Sequence, residues 1–480
     1  MIGLQLPPWW QWIRQRAGTI IVTSQASEHA GQQECDLAAA ISDNAFAGMP
    51  VRAWSILFLF LILDGLDLAL LGLLSPRLAE DFNLSPASIG LLLGVQQAGV
   101  AVAGIFGGAA GDRLGRRVII VFSVGMFGTF TVLAGMAPNV EVFVVCRLLA
   151  GLGLGALSPN IASYLTETLP LVWRGRMTAA VFIAIALGAI GCSVMVKMAG
   201  ASADWRTLFM ICGILPVIGL PLLIWGIPES PLWMVERNRE ASAIARAANR
   251  LVRGASYSAA TCFARVRSGS GVETEAEVPG GFLRSIPLRD TLCLWTIIFA
   301  LQFISTGMNH MGPTVLTANG LDLAEAARLM IWYNSAGLLG AIIAAWILPR
   351  AGSKRVFLIL GGITIAGFAG IQLLFANDGD AMALVLPVAF SGFAISGLSL
   401  VGFPLAAAAY PTRTRSTGVG FAAGLGRVGS VLAPVTIGLC IATFGAQQAF
   451  AVQIPMALLL VAVTLGLRRH IAAVRTAKPR

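Results

Sequence analysis

The chain has 480 residues, 57% of them hydrophobic and only 12% charged, and its mean hydropathy is +0.80. Soluble domains carry about 25% charged residues, so this composition argues against a soluble enzyme and for a chain dissolved in a bilayer. The net charge of +10 is explained by Lys and Arg collected in loops on one membrane face, not by a nucleic-acid surface.

Residues 1–52 open with MIGLQLPPWWQWIRQR, which lacks the apolar core and small-residue cleavage site of a signal peptide; a flexible cytoplasmic tail is expected. Twelve apolar stretches follow, at 53–76, 87–111, 118–136, 140–165, 178–201, 205–227, 291–314, 324–349, 354–375, 380–404, 416–442 and 447–468. About 20 such residues cross about 30 Å of hydrocarbon. Only helices satisfy their own backbone there.

The first stretch contains FLILDGLDLAL, with Asp64 and Asp67 in an apolar run. Asp64 lies about 16 Å into the span at 1.5 Å per residue, and Asp67 follows at i+3 on the same face. A charged Asp at mid-membrane costs about 2.5–3.5 kcal/mol, so the pair belongs toward a cavity. Low dielectric and a neighbouring carboxylate both disfavour the charged form, which makes the pair a candidate proton-responsive centre. The alternative is a structural pair bonded to neighbouring helices.

After the second stretch comes GGAAGDRLGRR, where Gly108, Asp112, Arg113, Gly115, Arg116 and Arg117 follow the spacing G-x3-D-R-x-G-R-R. Glycine permits the bend and close helix approach, and an acid at such a turn can clamp a neighbouring helix end by a charge pair that breaks and reforms. The fourth stretch carries Arg147 near one end and Glu167 near the other. They are about 30 Å apart on a straight helix, so they cannot pair. Arg147 is expected in the cavity, and Glu167 in the clamp with Arg113, Arg174 or Arg176. GLGLG within this span has no preceding strand, so it is a helix-packing surface and not a nucleotide loop.

Residues 228–290 are polar and arginine-rich. VERNREASAIARAANRLVR is expected to be helical along the membrane surface, and SGSGVETEAEVPGG to be a linker. In the seventh stretch Gln302, Ser305 and Asn309 share a helical face. With His310, Tyr333, Asn334, Gln96 and Gln97 they are candidates for a polar cavity wall, against a plain structural role for His310. LPRAGSKRV follows the eighth stretch. Arg415 falls at the edge of the eleventh stretch and Arg427 at its midplane, where a guanidinium can hold a carboxylate through two parallel hydrogen bonds or partner Asp64 or Asp67. Seven cysteines show no CxxC pair, and five lie in apolar stretches, so they are small buried hydrophobes. No HExxH motif and no clustered nucleophile and base occurs, so no enzyme activity, cofactor or metal is expected.

The loop motif and the six-plus-six arrangement resemble the major facilitator superfamily, whose second copy of the motif should follow the eighth stretch; there Pro349 replaces the acid while Lys354 and Arg355 keep the charge. DGLDLALLG, CRLLAGLGLGALSPNIASYLTE and YPTRTRSTGVGFAAGLGRVGS resemble the first, fourth and eleventh helices of its aromatic acid:proton symporter family. The resemblance implies roles in transport for Asp64, Asp67, Arg147, Glu167, Arg415 and Arg427. The reading is an all-α membrane protein of two six-helix bundles, 53–227 and 291–468, joined by a cytoplasmic loop at 228–290, with cytoplasmic tails at 1–52 and 469–480. Basic residues concentrate in alternate loops, which places both termini in the cytoplasm, here of a bacterial inner membrane. The expected activity is proton-coupled import of a small aromatic carboxylate by a monomer with no nucleic-acid partner. The alternative is another substrate class, such as a sugar, a different organic anion or an exported drug. Asp64 and Asp67 would couple protons; Arg427, Arg147, Gln302, Asn309, His310 and Tyr333 would bind substrate. Gly108, Asp112, Arg113, Gly115, Arg116, Arg117, Glu167 and Arg415 would gate.

Overall fold

The computed structural model describes residues 35–200, 204–258, 260–263, 288–377, 380–410 and 415–472, without the side chains of 415–417. Among them are twelve helices long and apolar enough to cross a membrane: Met49–Asp81, Pro86–Leu114, Arg116–Gly135, Val140–Thr168, Leu171–Ala199, Trp205–Gly226, Leu288–Ala318, Leu323–Ala351, Ser353–Ala376, Val385–Ala409, Gly418–Phe444 and Ala446–Gly466. They are numbered here first to twelfth. The chain is a multi-pass membrane protein.

Helix ends follow from local chemistry. Ser85 Oγ accepts the Ser88 N–H at 3.2 Å, Asn139 Oδ1 accepts the Val142 N–H at 3.0 Å, and Asp322 forms a reciprocal capping box with Glu325. These are first-turn donors that lack a helical partner. The seventh helix is less regular than its apolar pattern predicts. It runs as a π turn over Gly307–Met311, between Leu288–Thr306 and Gly312–Ala318. Pro313, just beyond, has no N–H to return to Asn309.

Helices crowd in two bundles, and three apolar clusters report how the bundles meet. One spans both, joining Leu70, Leu74 and Leu78 of the first helix to Met308, Met311 and Val315 of the seventh. The other two are confined to one bundle each, around Leu57, Ile120 and Leu165, and around Leu301, Phe357 and Leu405. The shared cluster lies toward the face of the short turns at 82–85 and 319–322. The separate clusters lie toward the face of the arginine-rich connections, called here the basic face. Lipid tails are as apolar as Leu, so close packing drives association: a Cβ at Gly72 would sit 2.8 Å from the Asn309 carbonyl oxygen. The seam between the bundles is therefore tight on one face only.

The N-terminal segment departs from the expected flexible tail. The first helix begins at Met49, and a short helix Leu37–Ser42 precedes it. Leu37 and Ile41 are buried against Val235, Ile244 and Leu251, and Asn44 Nδ2 donates to the Leu251 carbonyl at 2.9 Å. The expected surface helix of the central loop is two short helices, Pro231–Glu236 and Ala241–Leu251. Residues 1–34 and the predicted linker lie outside the described residues.

Candidate functional site

The two aspartates sit near the middle of the 33-residue first helix and are 2% and 1% exposed. Asp67 is tied. Arg147 of the fourth helix donates Nη2 to its Oδ2 at 2.8 Å and Nη1 to its Oδ1 at 3.2 Å. Thr131 of the third helix donates to Oδ1 at 2.7 Å. The Arg147 Nη1 also donates to Thr131 Oγ1 at 2.9 Å, its Nε faces Gln96 Oε1 at 3.3 Å, and its guanidinium lies 5.3 Å from the Phe209 ring centroid. Such a fully buried ion pair is stable only because nearly every donor is matched. Removing one partner typically costs about 3–5 kcal/mol.

Asp64 is the opposite case. Its Oδ1 is buried with no hydrogen-bond partner among the described residues, and the charge within its reach on another helix is Arg427. Arg427 is half-buried on the eleventh helix and rests against Gly104 of the second. The structure thus separates two residues that spacing made equivalent. Arg147, predicted to face the cavity, is wholly buried and engaged by Asp67. Around the two aspartates, the half-buried cation beside an acid is Arg427.

The predicted polar wall is partly assembled. His310 is buried on the π turn, and its Nε2 meets Gln97 Nε2 of the other bundle at 3.0 Å. Ser75 and Thr314 hydroxyls meet at 2.6 Å across the same seam. Asn309 donates back to its own helix at the Ser305 carbonyl, 2.9 Å away, and Asn334 to the Met330 carbonyl at 3.0 Å. Gln302 packs against Gly426 near Arg427. Tyr333 is 1% exposed within the apolar cluster shared by the bundles.

On the basic face Glu167 is in an ion pair, with a partner other than those expected. Glu167 pairs with Arg116, at 3.1 Å, and not with Arg113, Arg174 or Arg176. Arg116 turns back over its own loop toward the fourth helix and also pairs with Asp112, whereas Arg113 is exposed. Arg117 donates its backbone N–H to Glu229 at 3.0 Å and its side chain to the Ile224 carbonyl. Gly115 takes φ +114°, a conformation that favours glycine. Gly108 faces open space; the close approaches are made by Gly107 against Ala156 and Gly111 against Asn160. The helix that carries the eleventh span begins three residues earlier, at Arg415, whose side chain lies outside the described residues.

Sequence reasoning missed Thr131 and gave no role to Asn160, which lies in the quoted fourth-helix motif, or to Glu229 and Trp233 of PESPLW. Asn160 Nδ2 donates to the Gly107 and Ala156 carbonyls at 2.9 and 2.8 Å, and Trp233 Nε1 to the Asp112 carbonyl at 2.8 Å. A polar residue inside an apolar span is the only signal that marked Thr131.

A family model described as the Major Facilitator Superfamily matches residues 57–388 and 291–479. The chain is 33% identical over 392 residues to a gallate transporter of Pseudomonas putida, covering 80% of this chain and 84% of that one. It is 30% identical over 446 residues to a 4-hydroxybenzoate transporter of Pseudomonas aeruginosa, covering 91% and 97%. Among solved structures, a D-xylose–proton symporter superposes with a TM-score of 0.71 at 18% identity, over 89% of this chain and 99% of that one. That likeness concerns the fold alone.

Proposed function

Because the chain belongs to the major facilitator superfamily, among its aromatic acid transporters, we propose that it imports a hydroxybenzoate- or phenylpropionate-type carboxylate by alternating access, coupled to inward proton flow. The observation that carries this reading is the split fate of the two aspartates. Asp67 is locked to Arg147, while the buried, unpartnered Asp64 shares its surroundings with Arg427.

The guanidinium of Arg427 serves either Asp64 or a substrate carboxylate, and the latter receives two parallel hydrogen bonds. When substrate takes Arg427, Asp64 loses its counter-charge and accepts a proton. The loaded site, with Arg427 paired to substrate and Asp64 neutral, then carries the same net charge as the empty site in which Arg427 faces ionised Asp64. Protonation of Asp67 opens its pair with Arg147 and shifts the balance between bundle arrangements. Gln302, Asn309, His310 and Tyr333 supply polar contacts for ring substituents.

Alternate basic loops support an orientation with the basic face and both termini in the cytoplasm, and the bacterial relatives support an inner membrane. With that orientation, a seam tight on the opposite face and divided on the basic face is the inward-facing arrangement. The bundles 53–227 and 291–468 rock about the site between them, with 108–117, Glu167 and Arg415 gating the cytoplasmic side. One chain supplies both halves, so a monomer suffices.

The test uses protein in proteoliposomes, offered hydroxybenzoates, phenylpropionates and sugars with and without a proton gradient. Gradient-driven accumulation of an aromatic acid is expected, abolished in Asp64→Asn. Robust sugar transport with no uptake of any aromatic acid overturns the proposal.

A further inference from the structure

Buried threonines in membrane helices usually turn the hydroxyl back to the carbonyl four residues earlier. Thr168, Thr364 and Thr464 of this chain do so, at 2.7, 2.9 and 2.8 Å. Thr131, equally buried, bonds to neither its own turn nor another backbone group among the described residues. Its hydroxyl donates to Asp67 at 2.7 Å and accepts from Arg147 at 2.9 Å.

We propose that Thr131 is a positioning residue for proton coupling: its hydroxyl holds the Asp67–Arg147 pair in register and reverses its hydrogen-bond direction when that pair opens. The inference rests on the coupling reading given above. The third helix is well fixed for this task. Its Ser123–Phe127 turn packs directly on Gly153 of the fourth helix, and Gly128 packs on Gly213 and Pro216 of the sixth. One turn beyond those contacts, Thr131 is presented to both members of the pair.

The chemistry depends on a hydroxyl being both donor and acceptor. With Asp67 ionised, hydrogen bonds run from Arg147 to Thr131 and from Thr131 to Asp67. With a proton on Asp67, the carboxyl becomes a donor and needs an acceptor, and Thr131 Oγ1 is already in place. Rotation of one O–H then satisfies the protonated carboxyl without rearranging a helix. Valine matches the shape of threonine but offers neither function, leaving the carboxyl proton without that acceptor in a buried site. The other titratable or charged groups facing the pair are Asp64 on the same helix, Cys146 of the fourth, Cys192 of the fifth, Cys212 of the sixth and His310 of the seventh. None of them makes a hydrogen bond to Asp67 at hydrogen-bonding distance in the structure.

The experiment compares two readouts in proteoliposomes with 4-hydroxybenzoate and gallate as probes: accumulation driven by a proton gradient, and counterflow without one. For Thr131→Val, accumulation falls about tenfold, the scale of one hydrogen bond to a charged group, while counterflow stays within about twofold of wild type. Thr131→Ser restores accumulation, which a loss of packing alone would not allow. If the valine variant does not fold, Thr131→Ala takes its place and must show the same split. A Thr131→Val protein that accumulates like wild type, or loses counterflow in parallel, overturns the inference and leaves the coupling reading standing. Wild-type protein that exchanges these acids but never accumulates them overturns both.

Discussion

The turns after the second and eighth helices hold equivalent places in the two bundles, and their backbones match. The helices end at Leu114 and Ala351 and resume at Arg116 and Ser353, each across a single glycine, Gly115 at φ +114° and Gly352 at φ +77°. Their side chains differ. In the first turn Arg116 binds Asp112 and Glu167, while Trp233 and Arg237 both donate to the Asp112 carbonyl. In the second, Pro349 stands in place of the acid and Ser353 in place of the arginine. Ser353 exchanges hydrogen bonds with Ile471, at 3.0 and 2.9 Å, and approaches His470 Nδ1 at 3.4 Å. Glycine sets the bend; charge sets what the bend can do. An ionic cluster can release and re-form as helices move, whereas the neutral clasp only pins the chain beyond the twelfth helix. We infer that gating on the basic face is asymmetric, with the first turn as its moving part.

Arg116→Ala breaks this comparison most severely. It strands Glu167, which is 21% exposed, without its cation, and the expected cost is about 3 kcal/mol, at the low end for a buried pair. Ser353→Ala at the equivalent position loses neutral hydrogen bonds worth about 1 kcal/mol. Unfolding in detergent measures both. Equal losses would mean that the charge cluster contributes nothing beyond what the clasp does.

Gly115→Ala and Gly352→Ala come next. Each forces an L-residue into a sparsely populated backbone region, at about 1–3 kcal/mol. A Cβ at Gly115 also meets the Glu229 carboxylate and, at 3.3 Å, the Trp233 ring, so the first substitution is expected to cost about 1 kcal/mol more than the second. Matching unfolding midpoints for the two variants would show that Glu229 and Trp233 yield freely.

The sequence patterns that revealed this architecture are those tied to periodicity and lipid. Twelve spans, the alternation of basic loops and the i+3 spacing of the aspartates follow from apolar length and helix geometry, and the described residues contain twelve such helices. Pairing was not legible in the same way. Nothing in spacing says that Asp67 takes Arg147 and Asp64 does not, because the choice depends on helix rotation and on Thr131 arriving from a third helix. Glu167 pairs with Arg116, whereas sequence separation pointed to Arg113, Arg174 or Arg176, because nothing in spacing shows that Arg116 turns back over its own loop. The π turn at His310 left no mark in span length, since Asn309 and His310 interrupt a stretch that stays apolar enough to cross the membrane. The docking of Leu37 and Ile41 was hidden for the reverse reason: a few apolar residues in a polar tail give no period to detect.

Rebuilding the ionic turn in the second bundle gives a smaller effect. Pro349→Asp alone places an acid near a helix C-terminus, where the dipole disfavours it by about 0.3–1 kcal/mol, and Ser353→Arg alone loses the bond that the serine hydroxyl accepts from the Ile471 N–H. Together they recreate the spacing of Asp112 and Arg116. The double variant is expected to be more stable than the two single changes imply by about 0.3–0.5 kcal/mol, the worth of an exposed i,i+4 pair. Strict additivity in a double-mutant cycle would show that the matching backbone does not suffice to bring the two charges together.

The smallest effect belongs to the clasp itself. Burial holds His470 below its ordinary 6.5, with the Lys354 charge acting the same way, against a backbone hydrogen bond at Leu467 and the Asp290 carboxylate. The unfolded chain therefore binds this proton more readily. The stability contributed by neutral His470 is complete above about pH 6.5 and is lost as pH falls through the lower folded value. Acidification should loosen the contact of Ser353 with His470 and Ile471 while the glycine bend persists. Hydrogen exchange at the Ser353 and Ile471 amides is expected to quicken between about pH 8 and about pH 5 beyond the intrinsic chemical rate. In His470→Gln that excess should vanish. An excess of the same size in both proteins would remove His470 from the clasp and leave Ser353 and Ile471 as its only members.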